Sequence, residues 1–192
     1  MSYIIKLLCF LVVFVTTAPL FAQDEQQELP ALRVMAGGGY LIGGQFFSES
    51  FTYNPAFSGD ISVFLPLSST VNIGVGTGAT LLMEQERFIP FYLSFLGFLK
   101  PDQSTTYMLL NIGSSAAWRT RSAEFSDYNF NGGMMFKAGV GRRFLIAERA
   151  SLLLGMTLQH QWATGSYANG LGLEYEENLN YDWLAIELRF FY

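Results

Sequence analysis

The 192-residue sequence contains a single cysteine, Cys9, and no long apolar run beyond its first residues. Cys9 lies inside a segment with the pattern of an export signal, so the mature chain has no thiol for a disulfide, a metal site or redox chemistry. Charged residues are scarce, at 14%. A transmembrane helix needs about 18 consecutive apolar residues, and polar residues interrupt every later stretch before that length. A hydrophobic content of 51% without apolar runs favours strands.

The first 22 residues have the pattern of a secretory signal peptide. Lys6 precedes an apolar stretch at residues 7–15, and Ala22 supplies the small residue before the predicted cleavage site. A retained anchor helix is the alternative, but Pro19 and the shortness of the stretch disfavour it. Cys9 lies in the middle of the stretch, whereas a lipoprotein signal needs its cysteine at the end. We therefore predict a signal peptide at 1–22, a periplasmic tail at 23–30 and one domain at 31–192.

The mature chain is acidic. Lys6 is the one basic residue of the predicted signal, so 10 basic residues face 16 acidic ones in the remainder. Binding nucleic-acid phosphates requires a clustered positive surface, so we do not expect a nucleic-acid partner.

Eight segments with a period of two residues follow the tail, each about ten residues long or slightly more. They cover residues 31–43, 56–65, 70–82, 87–99, 105–118, 134–145, 151–163 and 180–192. Short connections follow the even segments, and mostly longer, polar connections follow the odd ones, at 44–55, 119–133 and 164–179. This asymmetry is typical of an outer-membrane barrel with short periplasmic turns and long outer loops.

The last segment shows most clearly which face meets lipid. Leu184, Ile186 and Leu188 lie on one face of the predicted strand. Glu187 and Arg189 lie on the other face, together with Trp183, Ala185 and Phe191. Arginine facing lipid near mid-membrane would cost about 2 to 4 kcal/mol, so the apolar row is expected to face outward. The same rule places the glycines of 74–78 inside. The fourth segment is apolar on both faces, and its alternation assigns no register.

Closure follows from the membrane environment. A sheet edge in hydrocarbon leaves backbone groups without partners at several kcal/mol each. We therefore predict an all-β fold, an eight-stranded antiparallel up-and-down transmembrane β-barrel. A soluble lipocalin-like barrel is the alternative, and it would bury the apolar face inward.

The predicted signal ending at Ala22, the eight alternating segments and the terminal sequence 187–192, Glu-Leu-Arg-Phe-Phe-Tyr, resemble the small bacterial outer-membrane barrels of the OmpX and OmpA-transmembrane-domain type, loosely a porin family. The resemblance covers nearly all of the mature chain. It implies that the barrel-assembly machinery reads the C-terminal strand, here at Leu188, Phe190 and Tyr192. The final Tyr departs mildly from the usual Phe.

Inward-facing charges form the main candidate site. They are Arg33, Asp60, Lys137, Arg143, Glu187 and Arg189. We expect them to form a structural ion-pair network that satisfies buried charges in a filled barrel. The alternative is a narrow passive channel for a small solute, lined by the cationic side chains.

Three further features favour a structural interpretation. His160 is the single histidine, and Trp162 stands where small outer-membrane lipid A deacylases have a serine, so a membrane-embedded lipid hydrolase is an unfavoured alternative. The run Gly74 to Gly78 lacks the Lys-Ser/Thr of a phosphate loop and makes room for larger neighbours. Five aromatic residues near segment ends suit aromatic girdles, with sugar stacking as the alternative: Tyr40, Trp118, Trp162, Trp183 and Tyr192.

The predicted outer loops interleave aromatic side chains with Ser, Asn and acidic residues, and their partial alternation indicates strands that project beyond the membrane. Ordered hairpin tips are one interpretation, and a surface for strand addition is the other. We therefore expect a non-enzymatic outer-membrane barrel of a Gram-negative-type bacterium, with no cofactor and no catalytic or metal site. Its expected partners are outer-membrane lipid, the assembly machinery and a surface partner at the loops.

Overall fold

The computed structural model describes residues 32–47, 50–83, 86–101, 104–119, 129–147, 150–168 and 174–192. The predicted signal peptide and tail lie outside the described residues. Within those ranges the chain forms nine strands, whose bounds are β1 Arg33–Phe47, β2 Ser50–Tyr53, β3 Ala56–Pro66, β4 Val71–Leu82, β5 Glu86–Phe98, β6 Thr106–Arg119, β7 Asn129–Leu145, β8 Ser151–Ala168 and β9 Glu174–Phe191. No helix in the described part of the chain is long and apolar enough to cross a bilayer.

The strands close into a barrel. Every strand from β3 to β8 pairs antiparallel with the next, β1 pairs with β3, and β9 returns to pair with β1. The short β2 pairs with β1 just beyond β3, so β2 and β3 occupy one place in the wall, which has eight positions. Pro55 lies between them and has no N–H to donate. The predicted eight-stranded antiparallel barrel is confirmed.

The two ends of the barrel differ. One end, here called the turn end, is where β3 connects to β4, β5 to β6 and β7 to β8, and the chain ends there at Tyr192. At the other, the loop end, strands extend well into the predicted loops. β1 continues to Phe47 and is followed by β2, β7 begins at Asn129, and β8 and β9 pair out to Ala168 and Glu174. The predicted loop bounds were therefore too wide, because the backbone ladders continue past the apolar pattern.

Alternation along β9 sets the inside and the outside of the wall. Ile186 and Leu188 are 53% and 51% exposed, whereas Glu187 and Arg189 are each 1% exposed. β4 alternates in the same way, with Val75 exposed and Asn72 buried. A wall that is apolar outside and ionic inside reverses the arrangement of a soluble protein, and it suits a hydrocarbon solvent.

The structure supplies the register of β5 that alternation left open. Phe88, Tyr92 and Leu96 face inward, and Phe91 and Leu93 face outward. Both faces are apolar because the inner one packs into the barrel core and the outer one belongs to the lipid-facing belt. The ladder between β4 and β5 is interrupted beside Pro90, as expected for a residue that cannot donate to it.

Candidate functional site

Four of the predicted inward charges meet in the middle of the barrel. Lys137 Nζ lies 2.9 Å from Glu187 Oε1 and 3.5 Å from Asp60 Oδ2. Arg189 Nη2 lies 2.7 Å from Glu187 Oε2 and 3.1 Å from Asp60 Oδ2. All four side chains are at most 5% exposed. Two cations thus share two carboxylates, and the formal charges of the four cancel.

This luminal network, Asp60, Lys137, Glu187 and Arg189, crosses the whole interior. Around the closed wall, three strand positions separate β3 from β7 in either direction, so Asp60 and Lys137 come from opposite sides. Their contact therefore spans the lumen. An eight-stranded barrel has an interior just wide enough for side chains to fill, and these side chains fill it.

Glycines beside the network leave room for it. A Cβ on Gly37 would collide with Arg189 Cγ, and one on Gly39 would lie 2.7 Å from Glu187 Cγ. Both glycines belong to β1, which pairs directly with the network residues of β9. The small residues of β1 therefore allow two long charged side chains to bend into the lumen.

Apolar layers cover the network on both sides. Towards the loop end, a buried cluster includes Leu82, Phe88, Phe130 and Trp183. Towards the turn end, a second buried cluster consists of Met35, Phe64, Leu96, Phe98, Tyr107, Leu109, Leu153 and Phe191. The described interior is thus layered, with ionic groups between two apolar plugs.

The other two predicted luminal cations lie at the turn end. Arg33 Nη1 donates to Asn72 Oδ1 at 3.1 Å. Arg143 Nε donates to Ser151 Oγ at 2.9 Å, and its Nη1 donates to the carbonyl of Pro101 at 2.7 Å. Arg143 also lies over the ring of Phe98. The structure therefore divides the six predicted residues into a four-residue network and two separate arginines.

Sequence reasoning missed a polar cap at the loop end. Trp183 Nε1 donates to the carbonyl of Asn54 at 3.0 Å, and Asn54 Nδ2 donates to Glu86 Oε2 at 3.2 Å. The girdle assignment of Trp183 was wrong, since its side chain is in the interior with 2% exposure. Its inward parity with Glu187 was the available signal. Trp118, Trp162 and Tyr192 do lie on the outer face.

His160 lies on the outer face, as its parity with Leu158 predicts. The structure adds a partner that sequence reasoning missed: Asp182, directly opposite on β9, with Oδ1 2.6 Å from His160 Nδ1. The ring of His160 also packs edge-on against Trp162 at a centroid distance of 4.0 Å. Within the described ranges, no group of three or more His, Cys, Asp or Glu is placed to hold a metal ion.

The C-terminal strand completes the closure of the barrel. Val34 and Tyr192 exchange backbone hydrogen bonds of 2.7 and 2.8 Å. Leu188, Phe190 and Tyr192 all face outward and are exposed. The last residue therefore belongs to the seam between the first and final strands.

The closed wall, the ionic interior and the outer apolar belt define the fold as that of a small outer-membrane β-barrel. Two solved structures share it. The outer membrane protein OprG from Pseudomonas aeruginosa aligns with a TM-score of 0.56 at 9% identity, covering 88% of this chain and 99% of its own. Neisserial surface protein A (NspA) aligns with a TM-score of 0.55 at 12% identity, covering 82% of this chain and 95% of its own. No family model and no curated protein sequence matches the chain.

Proposed function

We propose that this chain is a non-catalytic outer-membrane protein of a Gram-negative-type bacterium that acts as a structural or surface-binding barrel through its loop end. The observation that carries the proposal is the luminal network, which spans the interior between two apolar layers. A filled interior leaves the barrel ends and the outer wall as the surfaces available for interaction.

The orientation follows from the connections. Outer-membrane barrels have short periplasmic turns and longer outer loops. The turn end, which also carries the C-terminus, is therefore assigned to the periplasm, and the loop end to the cell surface. During assembly, the barrel-assembly machinery recognises the C-terminal strand through Leu188, Phe190 and Tyr192.

The loop end offers exposed aromatic side chains on regular backbone. Phe51 and Tyr53 on β2 and Tyr175 on β9 are about half exposed, at 51%, 56% and 45%. Rigid strands that carry exposed aromatic groups present contact area at a low entropic cost, which suits a binding surface. Two aromatic residues of the predicted outer loop at 119–133, Phe125 and Tyr128, lie outside the described residues.

The test separates a surface role from a channel. Purified protein in planar bilayers is expected to give no single-channel conductance, because the network and apolar layers obstruct the path. In cells, a deletion strain is complemented either with the wild type or with a variant that combines Phe51→Ser, Tyr53→Ser and Tyr175→Ser. We expect the variant to fold, shown by unchanged heat-modifiable gel mobility, but to lose any adhesion or envelope phenotype that the wild type restores.

Two results would count against the proposal. Reproducible conductance steps would favour the narrow channel. Full complementation by the variant with serine at 51, 53 and 175 would remove the aromatic surface of the loop end as the contact region.

A further inference from the structure

His160 and Asp182 form an ionisable pair on the outer face of the wall, next to apolar residues of the belt. The two residues are directly opposed on β8 and β9 and joined at 2.6 Å. On the same outer face, Leu158 precedes His160 and Leu184 follows Asp182. A carboxylate beside hydrocarbon is costly unless charge or hydrogen bonds compensate it.

The pair lies at the boundary of the apolar belt that faces the loop end. Outward positions of β9 are apolar from Leu184 to Tyr192, and Asp182 is the first polar one towards the loop end. On β8, Trp162 follows His160 on the same face, and outward tryptophan is typical of the girdle at the membrane interface. This level is where lipid headgroups meet acyl chains.

A groove of about 440 Å³ adjoins the pair. Its walls are mainly aromatic or aliphatic and include Phe46, Phe51, Phe136 and Leu158. The rings of Phe46 and Phe51 pack at 4.9 Å across β1 and β2. An apolar groove that runs up to a carboxylate has the shape of a site for an amphiphile.

The chemistry of the pair favours a cation. The Asp182 side chain is 49% exposed, and His160 contacts only one of its oxygens. The nearby strands β1, β8 and β9 carry just two basic residues besides His160, and both lie elsewhere: Arg33 at the turn end and Arg189 in the lumen. No lysine or arginine of these strands therefore neutralises Asp182 from the outer face.

The pair is a poor hydrolytic centre. On the outer face His160 is flanked by Leu158 and Trp162 along β8, and its β7 partner is Phe136. None of these has a hydroxyl or thiol to act as nucleophile, and the imidazole nitrogen that does not face Asp182 is buried without a protein partner. Binding fits these neighbours better than catalysis.

We propose that the His160–Asp182 pair and its groove bind a phospholipid with a primary ammonium headgroup. The ammonium donates to the Asp182 carboxylate as a charge-assisted hydrogen bond, and an acyl chain lies along the groove. His160 orients the carboxylate through its Nδ1 contact, and the aromatic rings add cation–π attraction at the rim. The proposal rests on the membrane placement given under Proposed function.

Quenching of Trp162 by brominated lipids tests the site. The protein is reconstituted in the Trp118→Phe background, in which Trp162 is the lipid-facing tryptophan and Trp183 is buried. Phosphatidylcholine vesicles receive increasing amounts of phosphatidylethanolamine or phosphatidylcholine with brominated acyl chains. Half-maximal quenching is expected at an about fivefold lower fraction of the ethanolamine lipid, because only that headgroup carries N–H donors. Asp182→Asn should remove the preference, and the exposed Glu176→Gln on the same face of β9 should keep it.

The outcomes separate the two proposals. Quenching by neither lipid would contradict the membrane placement of this face. Equal quenching of Trp162 by both lipids, with Asp182 in place, would overturn the headgroup site and leave the membrane placement intact. A preference that survives Asp182→Asn would also overturn the site, since the carboxylate would not be the ligand.

Discussion

Replacing Glu187 with alanine is expected to lower the free energy of unfolding by about 3 to 5 kcal/mol, the usual cost of removing one partner from a buried ion pair. Glu187 accepts from both cations of the luminal network. Without it, Lys137 and Arg189 would share the single carboxylate of Asp60, on Oδ2. Urea unfolding in phospholipid vesicles, followed by tryptophan fluorescence, measures the change.

A charge-balanced double variant sharpens that test. Lys137→Met with Glu187→Leu removes one charge of each sign and leaves the Asp60–Arg189 pair. It should be more stable than Glu187→Ala, because no cation is left in excess. Exposed Glu176→Gln is the matched control, expected within about 0.5 kcal/mol of the wild type. A loss below about 1 kcal/mol for Glu187→Ala would contradict a dry, tightly coupled luminal network, because removing one partner of a buried ion pair costs more than that.

Ile186→Arg is expected to lower the free energy of unfolding of the barrel in a bilayer by about 2 to 4 kcal/mol. Ile186 is an outward residue within the apolar run of β9, and its β8 partner Met156 is also exposed on that face. A guanidinium there would have to lie in hydrocarbon or deform the bilayer. Vesicle unfolding gives the cost, and folding yield on a heat-modifiability gel gives an independent readout.

Asn178→Arg is the control for this substitution. It lies on the same strand and the same face, but beyond the belt at the loop end, and it is exposed. The change in the free energy of unfolding for Asn178→Arg should be near zero. Equal stability of both arginine variants would show that the outer face of β9 does not contact hydrocarbon.

Alternation predicted the wall well wherever lipid and lumen differ in polarity. In β9 only the face that carries Ile186 can meet lipid. If the other face met lipid, Glu187 and Arg189 would be exposed to hydrocarbon. β5 lacks that contrast. Phe88 and Leu96 belong to the interior apolar layers, while Phe91 and Leu93 face outward, so both faces are apolar. The pattern then predicts a strand but not its register.

The strands at the loop end were harder to predict because polar residues and glycines interrupt their hydrophobic alternation. β2 reads Ser-Phe-Thr-Tyr, and all four residues are exposed. β7 begins with Asn129 and includes two adjacent glycines before its regular part, where the register shifts between Gly132 and Met135. Alternation persists there only in part, at Phe51 to Tyr53 and at Asn129 and Phe130, so the pattern indicated projecting strands but not their bounds.

Inward parity predicted the members of the candidate site but not their contacts. Asp60 and Lys137 are 77 positions apart, and only the circular order of strands brings them together. Sequence reasoning could have placed both members of the outer pair on the lipid-facing side, since His160 and Asp182 share parity with leucines of the belt. It could not have paired them, because a two-residue turn at Asn169 and Gly170 would oppose His160 with Leu179 instead of Asp182.

The central claim is that the apolar row meets lipid and the ionic row lies inside. A nitroxide scan of residues 182–190 in vesicles tests it most directly, by comparing collision rates with oxygen, which concentrates in lipid, and with a water-soluble nickel chelate. Oxygen accessibility should peak at 184, 186, 188 and 190 and fall at the odd positions between them. Peaks at 185, 187 and 189 would contradict the claim.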